Sequence, residues 1–162
     1  MPRLLWPHLA LLGAVGCRPA RPTAALDPAH AAAITDSVTA TLAAFAGRLN
    51  ANDRDSLLRL YADDPRFIWA ADGHAATHTV AEVHTQLNVM AGFTYSRIAY
   101  HATSVTPLAP GFATMTTEYA ESLGNPTGPG FGFAGALSIL WWHTPAGWKI
   151  LQGHSSSATP PH

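Results

Sequence analysis

The strongest candidate for acid–base chemistry lies in the last strand-like segment of the chain. Histidine is the residue type best suited to exchanging a proton near neutral pH, and Gln152 and Ser156 stand two residues to either side of His154. Because side chains alternate between the two faces of a strand, these residues should share a face with Trp148 and Ile150. The pattern predicts a cavity-facing histidine that its two polar neighbours hold in place for proton transfer. The alternative is a structural histidine with satisfied hydrogen bonds in the core.

A carboxyl group could serve as a second acid or base together with this histidine. Glu118 and Glu121 are three residues apart in a strand-like segment, so they point to opposite faces and at most one of them enters a cavity. Burial would raise the pKa of that carboxyl and allow it to act as an acid or base. We take His154 and Glu118 as the catalytic candidates.

Large aromatic side chains occur on segments that would converge in a folded sheet. Tyrosine and tryptophan combine an apolar ring with one polar group, which suits the wall of a ligand cavity. Each of them could equally fill a core. The predicted ligand-binding residues are Tyr61, Trp69, Tyr119, Trp141, Gln152 and Ser156.

Motifs for other chemistries are absent from the sequence. It has no Gly-rich phosphate loop, no Ser-His-Asp order and no Cys and His spacing typical of zinc sites. His74, His84, His101 and His154 could converge in space, although no spacing requires it. We therefore expect no metal and no cofactor.

The composition indicates one globular domain. The chain has 162 residues, and 48% of them are hydrophobic, which is enough for a single core. Only 12% are charged and the formal net charge is -1, so no basic surface is available to bind phosphates. Nucleic acid is therefore not an expected partner.

The single cysteine, Cys17, stands at the end of a segment that is typical of export signals. Arg3 precedes an apolar run over residues 4–15, which is shorter than the about 20 residues that span a bilayer. The segment Leu12–Cys17 resembles a lipobox, in which cleavage occurs before a cysteine that carries diacylglycerol. We predict a signal peptide over residues 1–16, a lipidated Cys17 with a tether over residues 17–26, and a membrane-anchored lipoprotein of the bacterial envelope. A secreted or periplasmic soluble protein with an ordinary signal is the alternative.

Helical periodicity appears in the first half of the chain. Asp27 as N-cap and Pro28 at the first helical position predict a helix start. A second, short helix should end at Asp64-Pro65, and a capping box of Thr79 and Glu82 should begin a third. The buried face of the first helix is predicted to comprise Ile34, Val38, Leu42, Phe45 and Leu49.

Strand periodicity dominates the second half. After a short strand at residues 67–69, four longer strands are predicted over residues 97–105, 112–122, 132–143 and 147–156. A bulge at Gly153 would reverse the face of His154. Short connections favour antiparallel pairing, so the fold class is α+β, with helices on one face of the sheet. The strand Gly135–Trp142 is apolar on both faces, which predicts a homodimer through the convex face.

Three segments resemble the nuclear transport factor two-like superfamily, particularly its SnoaL-like and ketosteroid-isomerase-like bacterial branch. They are Asn52–Asp64, Arg66–Trp69 followed by Asp72-Gly73, and Gly147–Ser156. The resemblance implies a cone-shaped domain over residues 27–157, in which a strongly curved antiparallel sheet packs against N-terminal helices and encloses a pocket. Residues 158–162 are predicted to form a disordered tail. This superfamily includes several enzyme classes and plain binders, so the fold alone does not assign a function.

Two classes of function remain open. The first is an envelope-anchored domain that binds a small apolar or amphipathic molecule. The second is a cofactor-free enzyme of isomerase, dehydratase, cyclase or hydrolase type that uses His154 and a carboxylate. An inward cluster of two or more ionisable groups would favour the enzyme, whereas an aromatic cavity with His154 alone would favour the binder.

Overall fold

The computed structural model describes residues 26–89, 92–93, 95–125, 128 and 130–158. Over these residues the chain forms the helices α1 (Pro28–Asn50), α2 (Arg54–Leu58) and α3 (Val80–Val89), and the strands β1 (Ile68–Ala71), β2 (His74–Thr77), β3 (Tyr95–Ala109), β4 (Phe112–Gly124), β5 (Phe131–Thr144) and β6 (Gly147–Ser157). The strand order in the sheet is β2-β1-β6-β5-β4-β3. The α+β class is confirmed: the N-terminal helices pack on a curved sheet that does not close into a barrel.

The sheet is mixed rather than wholly antiparallel. Strands β3 to β6 form the predicted antiparallel meander. Strand β1 runs parallel to β6, and β2 returns antiparallel to β1 after a turn at Asp72-Gly73, where both residues have positive φ. The expectation of an all-antiparallel sheet was therefore wrong at this edge, because the partners of β1 on β6 lie more than 80 residues away in the sequence and no short connection joins the two strands.

Helix α1 begins and packs as its sequence predicts. The side chain of Asp27 accepts a hydrogen bond of 2.9 Å from the backbone N–H of His30, and Pro28 occupies the first turn. Ile34, Val38, Leu42 and Phe45 are buried, whereas Leu49 is half-buried at the edge of the core. The helix packs mainly on β3.

The end of α1 is attached to the edge strand β3 through Asn50. Its side-chain amide donates 3.2 Å to the carbonyl of Ile98, and its side-chain oxygen accepts 2.7 Å from the N–H of Ile98. Asn50 therefore satisfies the backbone N–H and carbonyl of Ile98, which a further strand would otherwise pair at this edge of the sheet.

The second helix is shorter than predicted. It ends at Leu58, because residues 60–62 run beside β6 instead of continuing the helix. The N–H of Ala62 donates 2.9 Å to the carbonyl of Ile150, whose N–H donates 2.7 Å to the carbonyl of Leu60. Helix α3 has the predicted capping box, in which Thr79 and Glu82 exchange hydrogen bonds of 3.0 and 3.2 Å.

A bulge in β6 determines which of its residues face the helices. Leu140 pairs with Gln152 and Trp141 pairs with Ile150, so Leu151 has no partner on β5. One extra residue on a strand reverses the side-chain alternation beyond it. The inward side chains before the bulge are Trp148 and Ile150, and after it the inward positions are Gly153, Ser155 and Ser157.

The predicted signal peptide, the lipidated Cys17 and most of the tether lie outside the described residues, as does most of the predicted C-terminal tail. None of the helices in the described part of the chain is long and apolar enough to cross a membrane.

Candidate functional site

A cavity of about 290 Å³ lies between the helices and the inward face of the sheet. Its wall is largely apolar, with contributions from all three helices and from five of the strands. The apolar side chains are Phe45, Leu49, Leu57, Trp69, Val83, Leu87, Ile98, Phe133 and Leu137. The polar ones are Tyr61, Asp72, Gln86, Tyr100, Tyr119, Glu121, Ser155 and Ser157.

Three of the six predicted ligand-binding residues line this cavity: Tyr61, Trp69 and Tyr119. The ring of Tyr61 makes edge contacts with Phe67 and Trp69, at centroid distances of 5.9 and 6.2 Å. The ring of Tyr119 contacts Phe133 in the same manner at 6.1 Å. These contacts fix the orientation of the rings, so the wall is formed by packed aromatic side chains rather than by mobile ones.

Trp141 does not line the cavity, contrary to prediction. It faces inward, but it is fully buried between Ala113 and Ile150 on the neighbouring strands, and both of these are themselves fully buried. Packing is complete at this end of the sheet, so the indole belongs to the core. Its Nε1 is the one buried side-chain nitrogen or oxygen without a hydrogen-bond partner in the described part of the chain.

His154, Gln152 and Ser156 do not line the cavity, so the expectation that they face inward is wrong. His154 and Gln152 are exposed and border a shallow groove on the outer face of the sheet, together with Ser138. The cause is the bulge at Leu151, two residues before the position where a bulge was considered. Ser155 and Ser157 take the inward places on this strand.

The catalytic candidate Glu118 also lies on the outer face. It is exposed, and its carboxylate lies 3.1 Å from Nε2 of His101 on β3. Its neighbour Tyr119 lines the cavity, so strand alternation already excluded an inward Glu118. The inward carboxyl is Glu121, two residues beyond Tyr119 on the same face.

Glu121 is the buried acid of the cavity. Its side chain is 9% exposed, and Oγ of Ser96 on β3 donates a hydrogen bond of 3.1 Å to its Oε1. Burial raises the pKa of the Glu121 carboxyl, and the hydrogen bond from Ser96 offsets part of this effect. A carboxyl in this environment can carry a proton at higher pH than an exposed one.

Tyr100 was missed in the sequence, although it lies within a predicted strand and alternates with the inward residue Ile98. Burial raises the pKa of the Tyr100 hydroxyl, and the proximity of Tyr61, Glu121 and Tyr119 raises it further. Burial also raises the pKa of Tyr61. Both phenols are therefore neutral and able to donate hydrogen bonds into the cavity.

A second polar group involves the turn between β1 and β2. Oδ1 of Asp72 accepts 2.6 Å from the N–H of Ser157, and Oγ of Ser157 lies 3.4 Å from Oδ2 of Asp72 and 3.3 Å from the hydroxyl of Tyr119. This series of hydrogen bonds connects Asp72 at the rim of the cavity to Tyr119 on its aromatic wall. Asp72 is exposed, so it meets solvent as well as the cavity.

The four histidines considered above do not form a site. His74, His84, His101 and His154 are all exposed and lie on four different elements. The described residues contain no group of three or more His, Cys, Asp or Glu side chains that could hold a metal ion.

The sequence profile of the SnoaL-like domain matches residues 38–160, which include most of the helices and the whole sheet that encloses the cavity. The chain belongs to the SnoaL-like domain family. No match was found among curated protein sequences.

Solved structures resemble this SnoaL-like domain at low sequence identity. A candidate scytalone dehydratase from Novosphingobium aromaticivorans has a TM-score of 0.72 at 10% identity, over 81% of this chain and 89% of its own. A candidate dehydratase of the nuclear transport factor two-like family from Streptomyces avermitilis has a TM-score of 0.70 at 21% identity, over 78% and 97%. A candidate aromatic ring hydroxylase from N. aromaticivorans has a TM-score of 0.68 at 15% identity, over 76% and 88%. At these identities the likeness shows the fold alone.

Proposed function

We propose that this SnoaL-like domain binds a small, mainly apolar molecule in the cavity between its helices and its sheet. The lining of the cavity carries the proposal. Nine apolar side chains and three tyrosine rings surround a space of about 290 Å³, and the other polar side chains are those of Asp72, Gln86, Glu121, Ser155 and Ser157. Ligand sites commonly combine a predominantly apolar lining with a few polar groups that orient the ligand.

The polar groups would orient a ligand at two places. Glu121 and Tyr100 offer hydrogen bonds from neighbouring strands, while Ser157 and Asp72 do so at the rim. The rings of Trp69 and Phe133 lie on the wall and would contact the apolar body of the ligand.

The substitution Ser155→Leu tests the binding function, because Ser155 faces the cavity and a larger side chain there would occupy the space for the ligand. We expect Ser155→Leu to fold and to lose binding of naphthalene derivatives, measured by isothermal titration calorimetry. His154→Leu is the matched control, since it adds an apolar side chain at the adjacent, outward position. Equal binding by both variants and the wild type would contradict the proposal.

An enzyme is the second candidate, because two carboxyl groups, Glu121 and Asp72, line the cavity as expected for an enzyme, and burial raises the pKa of Glu121. Asp72 is exposed at the rim, so Glu121 is the one buried carboxyl on the described wall, and the criterion is met only in part. In a cofactor-free isomerase, dehydratase, cyclase or hydrolase, Glu121 would take the acid–base role first given to His154 and Glu118. The test is to recover the ligand retained by the purified protein after incubation in D₂O. Deuterium bound to carbon, and its loss in Glu121→Gln, would support the enzyme, whereas an unchanged ligand would support the binder.

We also propose that the domain is held at the bacterial envelope by a lipid on Cys17. Support comes from the apolar run that ends at this cysteine and from the Pro-rich stretch after it. The protein should partition into the detergent phase, and Cys17→Ala should stay in the aqueous phase. A wild-type protein that stays in the aqueous phase and whose mature N-terminus is not Cys17 would contradict this proposal.

The outer face of the sheet is proposed to join two copies of the domain. Leu140 and Trp142 on β5 are half-buried outward side chains, and the guanidinium of Arg66 stacks over Trp142 at 4.9 Å from its centroid. Sedimentation at tens of micromolar should give a dimer, because a standard interface of about 1,600 Å² normally persists at such concentrations. A monomer would count against the proposal.

A further inference from the structure

The charged side chains on the cavity wall are all acidic. Among the described residues that line it, Asp72 and Glu121 carry carboxyl groups, and none is a lysine, arginine or histidine. The basic residue next to Ser96 on β3, Arg97, is exposed, and its guanidinium donates to the backbone carbonyls of Asn50 and Ser96. Any charge that the described wall carries is therefore negative, and no described residue that lines it is a cation that could neutralise it.

Aromatic rings surround the same space. Six of them line it: Phe45, Tyr61, Trp69, Tyr100, Tyr119 and Phe133. The face of an aromatic ring carries negative charge density and attracts organic cations, most strongly where water is excluded. The rings and the carboxyl groups thus both favour a positively charged ligand.

Several polar atoms on the wall have no hydrogen-bond partner among the described residues, and Tyr61 and Glu121 each carry one of them. The side chain of Tyr61 is 9% exposed, and its hydroxyl has no hydrogen bond among the described residues. Glu121 accepts the hydrogen bond of Ser96 at Oε1, which leaves Oε2 available. A ligand with a hydrogen-bond donor would supply a partner for Oε2 of Glu121.

We propose that the cavity selects a small apolar amine, an aromatic or alicyclic compound with one protonated nitrogen, whose ammonium group is held by Glu121 and the surrounding rings. This inference rests on the proposed binding function and specifies its ligand class. An anionic ligand would meet Glu121 and Asp72 with no compensating cation on the described wall, and its burial would be unfavourable.

Binding of such an amine is coupled to the proton on Glu121. Burial favours the neutral carboxylic acid in the free protein, whereas a bound ammonium favours the carboxylate. At a pH where Glu121 of the free protein still carries a proton, formation of the ammonium–carboxylate pair releases that proton to solvent, and no bond to carbon changes. Asp72, Tyr61, Tyr100 and Tyr119 also line the cavity, and Tyr61 and Tyr100 remain neutral because burial raises their pKa values.

Three naphthalene compounds that differ mainly in charge test the inference. They are 2-(1-naphthyl)ethylamine, which is cationic, 2-(1-naphthyl)ethanol, which is neutral, and 1-naphthylacetate, which is anionic. By calorimetry on the intact protein we expect the amine to bind about tenfold more tightly than the alcohol, and the anion to bind most weakly. Titration in buffers of different ionisation enthalpy should show proton release with the amine alone, and this release should grow as the pH is lowered.

Glu121→Gln should remove most of the preference for the amine, while Glu118→Gln, an equivalent change on the outer face, should leave it intact. If Glu121→Gln fails to fold, the comparison of the three compounds on the wild type still decides. Binding of the alcohol or the anion as tightly as the amine, at a site that Ser155→Leu blocks, would overturn this inference and leave the binding function standing. Absence of binding by all three would overturn both.

Discussion

The ring of Trp69 lies across Gly153 on the adjacent parallel strand. A Cβ atom on Gly153 would stand 2.2 Å from two carbons of the Trp69 ring, well inside normal contact distance. The glycine therefore lets an aromatic side chain of the cavity wall lie flat on the sheet. Because Trp69 faces the cavity, this contact marks the inward side of β6 at Gly153, and His154, the next residue, faces outward.

Gly153→Ala should displace Trp69 and damage the cavity. We expect it to lower the free energy of unfolding by about 1–3 kcal/mol, as overpacking of a well-packed region does, and to weaken binding of the naphthyl amine. Urea denaturation and calorimetry measure the two effects. Gly111→Ala is the control, because the nearest atom to its added Cβ is 4.0 Å away. A Gly153→Ala protein with wild-type stability and affinity would refute the packing of Trp69.

His154→Ala should have little effect. The side chain is exposed on the outer face, so its removal should change the free energy of unfolding by no more than about 0.5 kcal/mol. Affinity for the naphthyl amine should be unchanged within error of the titration. A loss of binding in a folded His154→Ala protein would indicate that His154 faces the cavity. It would contradict the bulge at Leu151.

Glu121 should make stability depend on pH. Because burial raises its pKa, the folded protein keeps a proton that the unfolded chain has already lost between the ordinary and the raised pKa. The resulting stabilisation is fully present below the ordinary pKa of glutamate and is lost as the pH rises through the raised value. Relative to the wild type, Glu121→Gln should therefore become more stable as the pH rises over this interval.

Urea denaturation of both proteins at a series of pH values checks this expectation. Asp72, Tyr61, Tyr100 and Tyr119 also line the cavity and are present in both proteins. Glu118→Gln should show no comparable trend from burial, because Glu118 is exposed. A stability difference between wild type and Glu121→Gln that is constant with pH would contradict the buried position of this carboxyl.

Two tryptophans should respond differently to the same substitution. Nε1 of Trp148 donates 2.9 Å to Oγ of Ser37 on α1, whereas Nε1 of Trp141 is buried without a partner in the described structure. Trp→Phe removes a favourable hydrogen bond at position 148 and an unsatisfied donor at position 141. We expect Trp148→Phe to cost about 1–3 kcal/mol more of unfolding free energy than Trp141→Phe. Equal losses in thermal or urea denaturation would argue against this difference in hydrogen bonding.

Local sequence signals predicted most of the elements. The N-cap at Asp27 and the capping box of Thr79 and Glu82 both form as expected, because each depends on residues within one helical turn. The four long strands also lie where alternation placed them. The parallel pairing of β1 with β6 was not predictable in this way, since its partners lie more than 80 residues apart and meet only in the folded sheet.

The site was less predictable, because it depends on which face of its strand each side chain occupies. Tyr61, Trp69 and Tyr119 were found from residue type, but His154 was assigned to the wrong face by one unpaired residue, Leu151. No local pattern distinguishes a bulge at this residue from regular pairing. Glu121, in contrast, could have been selected over Glu118, since it alternates with Tyr119.

We expect the ligand to enter the space between the helices and the sheet, and nuclear Overhauser effects from a bound probe test this position directly. With 2-(1-naphthyl)ethylamine bound to the methyl-labelled protein, the naphthyl ring should contact the methyl groups of Val83 and Leu137, which line the cavity. Contacts to Ile68 and Leu140, which border the groove on the outer face, with none to Val83 or Leu137, would contradict it.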